Sequence, residues 1–241
     1  MNTPNPDPLE LAFSDFFNGD KQATITIHND IGDVEEVPVS YFFRSFQEMP
    51  LLEQKALELC RGSVLDVGAG SGCHSLILKE RGMDVTPLEI RPALVEMMKK
   101  QGLENAVQAD FYKYRQQTFD TLLLLMNGIG FAGHLLGVDL LLKHAQKLLN
   151  PGGQIILDSS DLMYMYEEED GSYLIDLNRE KYYGEVEYQF EYKGQMGKPF
   201  DWIFVDYYTL EQMAIENGFR SEIIYEGEHF EYLARIYNTS Y

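Results

Sequence analysis

The sequence predicts an α/β protein with a doubly wound, mainly parallel sheet covered by helices on both faces. Two observations support this fold class. Short, continuous apolar runs typical of buried strands alternate with helical segments between residues 51 and 158. Near the carboxyl terminus, two β-prone runs, 221–227 and 231–238, lie so close together that they are expected to pair antiparallel. The 241 residues are enough for one domain with a substantial core.

The first fifty residues are expected to lie outside this alternation. Residues 1–20 carry three prolines among their first eight positions and are predicted to form a flexible arm. Residues 21–50 are predicted to contain a β-hairpin, with strands around 23–28 and 34–39, followed by a lid helix that starts near Ser40. A second helix is expected directly after Pro50.

The motif VLDVGAGSG, residues 64–72, is the strongest functional signal in the chain. An apolar strand ends in three closely spaced glycines, which let the backbone turn sharply and approach a ligand. A helix follows, so unpaired N–H groups at its start face the crevice, as a nucleotide-type ligand requires. Asp66 places a charge inside the strand, which is costly unless something pairs with it. The motif therefore predicts a ligand site.

The alternation continues after this motif. One strand is predicted to end at Glu89, a second near Asp110, and a third, strongly apolar, leads to Asn127. A long amphipathic helix is expected over about 133–149, and an NPGG turn precedes a strand over 154–158. Since ligands bind at the carboxyl ends of parallel strands, the polar residues at these ends are expected to share one crevice.

Residues 161–208 are predicted to be an inserted region that contains a second hairpin. The run EVEYQFEY, residues 185–192, alternates strictly between polar and apolar side chains, and DWIFVD, residues 201–206, is the expected returning strand. TLEQ, residues 209–212, matches a capping box and predicts a helix that ends at Gly218. The pattern thus predicts a single domain over residues 21–241 with two accessory hairpins.

The composition excludes several classes of function. The formal net charge is −20 and there is no run of Lys or Arg, so no nucleic-acid partner is expected. Two cysteines are too few for a disulfide framework, and the five histidines form no constellation, so no metal site is predicted. There is no signal-peptide pattern and no apolar run of about 18 residues, so the sequence predicts a cytoplasmic protein with no membrane partner.

The order of these marks resembles class I S-adenosylmethionine-dependent methyltransferases. In that family a glycine loop follows the first strand, acids end the second and third, and a PGG-type turn precedes the fifth. The resemblance covers residues 51–158 well and the last thirty in outline, and it leaves out the N-terminal arm and hairpin and residues 161–208. It implies a Rossmann-like, seven-stranded sheet with an antiparallel last strand, and a methyltransferase that uses S-adenosylmethionine.

The resemblance also implies cofactor contacts. The methionine end would lie against Asp66 and the glycine loop, and Glu89 would accept the ribose hydroxyls. Asp110 would accept from the adenine amino group, Asn127 would lie beside the sulfonium, and Arg44 of the predicted lid would pair with the cofactor carboxylate. The predicted cofactor-binding residues are Tyr41, Arg44, Asp66, Gly68, Ala69, Gly70, Glu89, Ile90, Asp110, Phe111, Met126, Asn127 and Gly128.

Two alternatives remain open from the sequence. The first is a dinucleotide-binding oxidoreductase, which GAGSGC disfavours because its glycines stand at the first, third and fifth places rather than the first, third and sixth. The second is a non-catalytic S-adenosylmethionine-binding or regulatory protein, because no catalytic base is identifiable. His74 and His134 follow the first and fourth strands and are candidates for a ligand contact, a base or a plain polar cap.

The acceptor is expected to be an unidentified small molecule. The run NGIG at Asn127 lacks the prolines and tyrosine of the N-P-P-Y signature, so a nucleobase or glutamine acceptor is not supported. We expect the two hairpins to lie together over the crevice and to shape a pocket for a flat or partly apolar acceptor. The competing interpretation is that one hairpin face forms a homodimer contact.

Overall fold

The computed structural model describes residues 7–32, 34–167, 170, 172 and 181–238. The helices are α1 (Pro8–Phe17), α2 (Leu51–Leu59), α3 (Cys73–Glu80), α4 (Pro92–Lys100), α5 (Leu135–Leu148) and α6 (Tyr207–Glu216). The strands are β1 (Thr24–Asn29), β2 (Glu35–Pro38), β3 (Ser63–Val67), β4 (Asp84–Glu89), β5 (Val107–Gln108), β6 (Phe119–Leu124), β7 (Leu149–Ser160), β8 (Glu185–Tyr192), β9 (Gln195–Met196), β10 (Phe200–Ile203), β11 (Phe219–Glu226) and β12 (Glu231–Asn238). Short 3-10 helices cover Val39–Phe43, Phe46–Glu48, Phe111–Lys113, Gly128–Ala132 and Leu162–Tyr166.

The main sheet has seven strands in the order β11-β12-β7-β6-β3-β4-β5. The pairs β3–β4, β3–β6, β4–β5 and β6–β7 are parallel. Strand β12 is antiparallel to both β7 and β11. The predicted fold class is therefore confirmed, including the antiparallel last strand.

Helices cover both faces of this sheet because successive strand residues point to opposite sides. Leu122 and Ile155 belong to the core that packs beneath α5 and α6. Their neighbours Leu123 and Ile156 belong to the core beneath α2 and α3. All four side chains are fully buried, and each stabilises the fold by about 1.5–3 kcal/mol relative to an exposed position.

A second, smaller sheet joins the two predicted hairpins. Its order is β10-β8-β1-β2, with β9 paired to β8. Strands β1 and β8 are antiparallel neighbours, with Thr26 opposite Glu191, and His28 contacts Glu191 at 2.8 Å. The two hairpins thus form one continuous accessory sheet, although about 160 residues separate β1 from β8 along the chain.

The prediction of a flexible arm over residues 1–20 is wrong for residues 8–17, which form α1. Asp7 caps the helix by accepting from the Leu9 N–H, and Pro8 takes the first helical position, where its missing N–H costs nothing. Ala12 and Phe13 are buried against the accessory sheet. The proline therefore starts a helix here, and residues 1–6 lie outside the described part of the chain.

Other boundaries also differ from the predictions. The lid helix near Ser40 is two short 3-10 helices separated by Arg44 and Ser45. The N-cap of α6 is Asp206, three residues before the predicted cap Thr209, because the side chain of Asp206 accepts from the Thr209 N–H at 2.9 Å. The NPGG turn is absorbed into the long strand β7. Within the described residues, every helix is too short or too polar to cross a bilayer.

Candidate functional site

The glycine loop lies at the carboxyl edge of the main sheet, directly after β3. Gly68 has a left-handed backbone, with φ of 72°, and no atom lies within 4 Å of the position that a side chain would take there. Its N–H and that of Ala69 both donate to the Leu88 carbonyl, at 2.8 and 3.0 Å. The loop is therefore held against the neighbouring strand while Gly68 keeps its outer side open.

Gly72 serves packing instead. Its φ is 83°, and a Cβ there would lie 2.7 Å from Leu103 Cδ1 and 2.9 Å from Met98 Cγ. A side chain would push α3 away from these buried residues. The first and last glycines of the motif thus have different functions, one facing the crevice and the other the core.

Asp66 is buried, with 2% of its surface exposed, and its Oδ2 accepts from the Ser75 hydroxyl at 2.6 Å. Burial raises the pKa of this carboxyl, and the nearby His74 works against that rise. The compensating partner that the sequence required is therefore Ser75 on α3, nine residues further along the chain.

Glu89, at the end of β4, is 3% exposed and accepts three backbone hydrogen bonds. Its Oε1 accepts from Ile90 and Arg91 N–H at 2.9 Å each, and its Oε2 accepts from Gly70 N–H at 3.1 Å. The carboxylate therefore ties the glycine loop to β4. Ile90 is 59% exposed beside it, which leaves apolar surface at the crevice.

Asp110 caps the 3-10 helix that follows β5. Its Oδ1 accepts from the Tyr112 N–H at 2.9 Å, and its Oδ2 lies 3.1 Å from Lys113 Nζ. Phe111 is buried and packs edge-on against Phe131, with ring centroids 5.5 Å apart. The acid thus has a structural contact while its side chain stays about one-third exposed at the crevice edge.

The exit from β6 is strained. Met126 and Asn127 have left-handed φ angles of 60° and 52°, each costing on the order of 1 kcal/mol or more for a non-glycine residue. The Asn127 side chain holds this geometry, since its Nδ2 donates to the Ile203 carbonyl at 3.0 Å and its Oδ1 accepts from Ser159 at 2.7 Å. Its amide therefore joins the main sheet to the accessory sheet.

Arg44 belongs to a buried charge network at the same edge. Its Nη2 lies 2.7 Å from Glu53 Oε1, and Glu53 Oε2 lies 2.8 Å from His74 Nε2. The guanidinium stacks on the Tyr41 ring at 3.7 Å, and Nη2 lies 3.9 Å from Met126 Sδ. Arg44 Nε is buried and has no partner among the described residues. The network brings the predicted Tyr41 and Arg44 next to Met126 at the exit of β6.

Neither candidate histidine stands unpaired. His74 contacts Glu53, as described. His134 lies between Glu185 Oε2, at 3.1 Å from its Nδ1, and Asp201 Oδ2, at 3.2 Å from its Nε2. His134 precedes α5 but its side chain accepts from no helical N–H, and the Leu135 N–H donates to Glu185 instead. In the part of the chain that the structure describes, no group of His, Cys, Asp or Glu suits a metal ion.

Asp158, near the end of β7, is a candidate site residue that the prediction from the sequence does not include. Its Oδ2 accepts from the Asn127 N–H at 2.9 Å, and its Oδ1 is buried with no partner among the described residues. Burial, together with the nearby Glu53, raises its pKa to about 7. An acid at the end of an apolar strand is the same signal that singled out Glu89, so the sequence contained the clue. Glu53 had no such signal, because it lies in an ordinary amphipathic helix.

The accessory sheet flanks the crevice beyond β6. The segment Gly128–Ala132 packs against β10, where the indole of Trp202 leaves no room for a side chain at Gly130. On the other side, Phe13 of α1 lies against the glycine loop, its Cε2 3.9 Å from where a Cβ of Gly70 would be. Helix α1 and the inserted strand β10 therefore both border the carboxyl edge of the main sheet.

Comparison with known proteins agrees with this geometry. A family model described as "Methyltransferase domain" matches residues 65–157. A SAM-dependent methyltransferase from Bacteroides fragilis, solved with S-adenosyl-L-homocysteine, is 43% identical and superposes with a TM-score of 0.89 over 98% of this chain and 96% of that one.

Curated relatives match only in part. A ubiquinone biosynthesis O-methyltransferase from Xanthomonas oryzae pv. oryzae is 31% identical over 110 residues, 43% of this chain. A 23S rRNA (uracil(747)-C(5))-methyltransferase from Pyrococcus horikoshii is 37% identical over 75 residues, 31% of this chain. The chain spans 45% of the length of the first relative and 18% of the second.

The Bacteroides fragilis protein is similar over nearly the whole length of both chains, including the elements that lie outside the family model. The glycine loop and the acid that ends β4 meet at one crevice, and the main sheet has seven strands. These findings set aside the oxidoreductase and the non-catalytic alternatives. The chain belongs to the class I S-adenosylmethionine-dependent methyltransferases, and it is an enzyme that uses S-adenosylmethionine as its cofactor.

Proposed function

We propose that this enzyme transfers the methyl group of S-adenosylmethionine to a small molecule, and that the thirteen residues predicted from the sequence line the cofactor crevice. The observation that carries the proposal is the open side of Gly68, bordered by Glu89 on β4 and by Met126 at the exit of β6. An extended nucleoside with an amino-acid tail requires a crevice that crosses these neighbouring strand ends.

The residues present fit the cofactor along this crevice. Glu89 is ionisable and has lone pairs beyond its three backbone contacts, so it suits two ribose hydroxyls. The exposed Ile90 and the edge of Phe111 suit the adenine, with Asp110 at the amino group. The buried, unpartnered Nε of Arg44 suits the carboxylate of the methionine end. Asp66, held by Ser75, contributes negative charge beneath the glycine loop.

Methyl transfer requires little covalent chemistry from the protein. The bound cofactor supplies an activated methyl group, and the chain contributes by aligning donor and acceptor in line. The strained Met126–Asn127 exit, fixed by Ser159 and Ile203, provides a rigid wall for that alignment. Helix α1 and the accessory sheet flank the crevice on two sides.

The acceptor pocket is proposed to lie between the β6 exit and the accessory sheet. Half-buried aromatic rings cluster on one face of that sheet: Tyr188 packs against Phe200 and Trp202 at 6.1 and 6.4 Å, and Phe190 against Phe200 at 5.0 Å. Such a face suits a flat or partly apolar molecule. The Xanthomonas relative is named for an O-methyl transfer in ubiquinone biosynthesis, which is consistent with a ring-bearing acceptor.

The composition supports the remaining proposals. A formal charge of −20 disfavours a nucleic-acid acceptor, although one partial relative is named as an rRNA methyltransferase. Because α1 packs on the same core as the accessory sheet, we propose one domain that includes it. We also propose a cytoplasmic location, as the sequence predicts. A homodimer through a face of the accessory sheet is the competing use of those rings, and the molecular mass in solution distinguishes the two.

Glu89→Ala tests the cofactor site. Loss of charge-assisted hydrogen bonds to the ribose is expected to weaken S-adenosylhomocysteine binding about 10- to 100-fold, measured by calorimetry. Glu96→Ala, which removes an exposed acid from α4, is the matched control and should bind normally. Unchanged affinity in Glu89→Ala would refute the assignment of the ribose partner.

The acceptor is tested separately. The wild-type enzyme is incubated with methyl-labelled S-adenosylmethionine and the small-molecule fraction of a cell extract, and products are detected by mass shift. We expect a labelled product in that fraction. Label found only in protein or RNA added to the same reaction would refute a small-molecule acceptor.

A further inference from the structure

Among the residues that the structure describes, Asp158 is the one acid at the crevice with a buried carboxylate oxygen that accepts no hydrogen bond. Its Oδ2 accepts from the Asn127 N–H at 2.9 Å, whereas Oδ1 is shielded from solvent and has no hydrogen-bond partner. Leaving a buried acceptor unpaired costs about 1–3 kcal/mol, and more for a charged group. In native structures, an unpaired group of this kind is associated with a catalytic role or with a bound partner that supplies the missing donor.

The position of Asp158 indicates which ligand. It lies near the end of β7, and its backbone-bound oxygen contacts the residue that follows Met126 at the exit of β6. The cofactor crevice crosses the ends of β3 and β4, on the other side of β6. Asp158 is thus displaced from the nucleoside, and it borders the β6 exit, which is one wall of the proposed acceptor pocket.

Its electrostatic surroundings hold the carboxyl near a balance between its two protonation states. Glu53 on α2 opposes its ionisation, His74 on α3 favours it, and the Asn127 N–H favours it as well. Tyr232 on β12 packs nearby, and its pKa is raised chiefly by burial, with Asp158 contributing. Because desolvation dominates, the pKa of Asp158 rises to about 7, the range in which a general base is effective.

We propose that Asp158 is a catalytic residue of the methyl transfer: Oδ1 accepts the proton of the acceptor's reacting group, which is a hydroxyl or a protonated amine. The acceptor lone pair forms the bond to the methyl carbon as the carbon–sulfur bond breaks. The electron pair of that bond remains on sulfur, which becomes a neutral thioether, and the acceptor proton passes to the carboxylate. This assignment rests on the small-molecule acceptor proposed above.

The test uses the full chain with Asp158→Asn, Asp158→Glu and a control, Asp84→Asn, which removes an exposed acid at the opposite end of the sheet. Transfer from methyl-labelled S-adenosylmethionine to the small-molecule extract is measured between pH 5.5 and 9. We expect Asp158→Asn to lose about 100-fold or more of the rate while binding S-adenosylhomocysteine within about twofold of wild type. Asp158→Glu should retain part of the wild-type rate, and Asp84→Asn should retain all of it.

The pH profile separates proton transfer from a structural effect. The wild-type rate should rise through an inflection near pH 7 as Asp158 ionises, and Asp158→Asn should lack this inflection. A wild-type rate in Asp158→Asn overturns the proposal with the small-molecule acceptor intact. A tenfold loss of S-adenosylhomocysteine affinity also overturns it, since Asp158 would then belong to the cofactor site.

Thermal unfolding of the same variants tests, without any acceptor, whether Asp158 has a structural role. Between about pH 4 and 7 the native state holds a proton that the unfolded state has released, so the wild type loses stability as the pH rises. We therefore expect Asp158→Asn to unfold at a higher temperature than wild type at pH 8, by at least about 2 °C, with a smaller difference at pH 5. A lower unfolding temperature at pH 8 would make Asp158 a structural partner and overturn the proposal. Absence of any wild-type product would instead refute the proposed acceptor class.

Discussion

Glu53 holds two basic side chains in the interior at once. Its oxygens contact Arg44 at 2.7 Å and His74 at 2.8 Å, and the three side chains are between 5% and 8% exposed. In a buried network of this kind, each charge has lost its water and depends on the others. Arg44, which we propose binds the cofactor carboxylate, is therefore positioned by a residue of α2.

Glu53→Gln should destabilise the fold by about 3–5 kcal/mol, because the Arg44 guanidinium is left buried without a counter-charge. The measurement is the free energy of unfolding in urea. Glu96→Gln, which breaks an exposed pair with Lys99, is the matched control and should cost less than about 1 kcal/mol. Equal losses in the two variants would contradict the network.

At the level of single residues, the sequence predicts the site where a residue is unusual for the element that contains it. Asp66 is a charge in an apolar strand, and the structure supplies its partner, Ser75. Glu53 is unremarkable locally, since a glutamate in the first turn of an amphipathic helix is ordinary. Its burial depends on Arg44 and His74, which the fold brings from either side, so no local pattern reveals it.

Helix α1 closes the crevice from the N-terminal side. Asp7 both caps the helix and pairs with Arg91, whose Nε lies 2.7 Å from Oδ2. Glu10 accepts from the Ala93 N–H at the start of α4, at 3.2 Å. These contacts join α1 to the residues that directly follow Glu89.

Asp7→Ala should fray α1, at a cost of about 1–2 kcal/mol, because it removes the cap and the Arg91 pair together. Amide hydrogen exchange over residues 8–17 is expected to accelerate at least fivefold. Asp30→Ala, in the turn between β1 and β2, provides a control for the loss of an acid and should leave α1 protected. Protection of α1 in Asp7→Ala would show that apolar packing alone holds it.

Among the elements, those set by local pattern were predictable. The strands of the main sheet follow from continuous apolar runs, and α5 from its amphipathic spacing. Helix α1 was not, because its early prolines suggested an irregular arm and its stabilising partner, the accessory sheet, forms from distant strands. The start of α6 differs from the prediction because Asp206 and Thr209 are both good caps, and it is the Asp206 side chain that accepts from a helical N–H.

On the scale of the whole molecule, the excess of acidic residues lowers the stability of the folded state by electrostatic repulsion. With 39 Asp and Glu against 19 Lys and Arg, like charges repel across a compact surface. Raising the salt from about 0.01 to 0.15 M shortens the screening length from about 30 to 8 Å, so the unfolding temperature should increase. Calorimetric scans in sodium chloride provide the measurement.

A charge-altered variant gives the matched control for this effect. Replacing the exposed Asp84, Glu104 and Glu228 by Lys takes the formal net charge from −20 to −14. Its unfolding temperature should respond less to salt than that of the wild type. The same response in both proteins would show that general salt effects, rather than self-repulsion, are responsible.

The pairing of β1 with β8 has a consequence for the order in which the protein is built. The parallel strands β3 to β7 can assemble within residues 63–160, whereas β1 must wait for a partner about 160 residues downstream. During synthesis the N-terminal hairpin therefore leaves the ribosome with one edge unpaired, and loop closure makes its docking a late step. The wall of the proposed acceptor pocket is completed only after the cofactor crevice exists. A chain interrupted before β8 retains the glycine loop but exposes a strand edge, the kind of surface that chaperones recognise and that aggregates pair with.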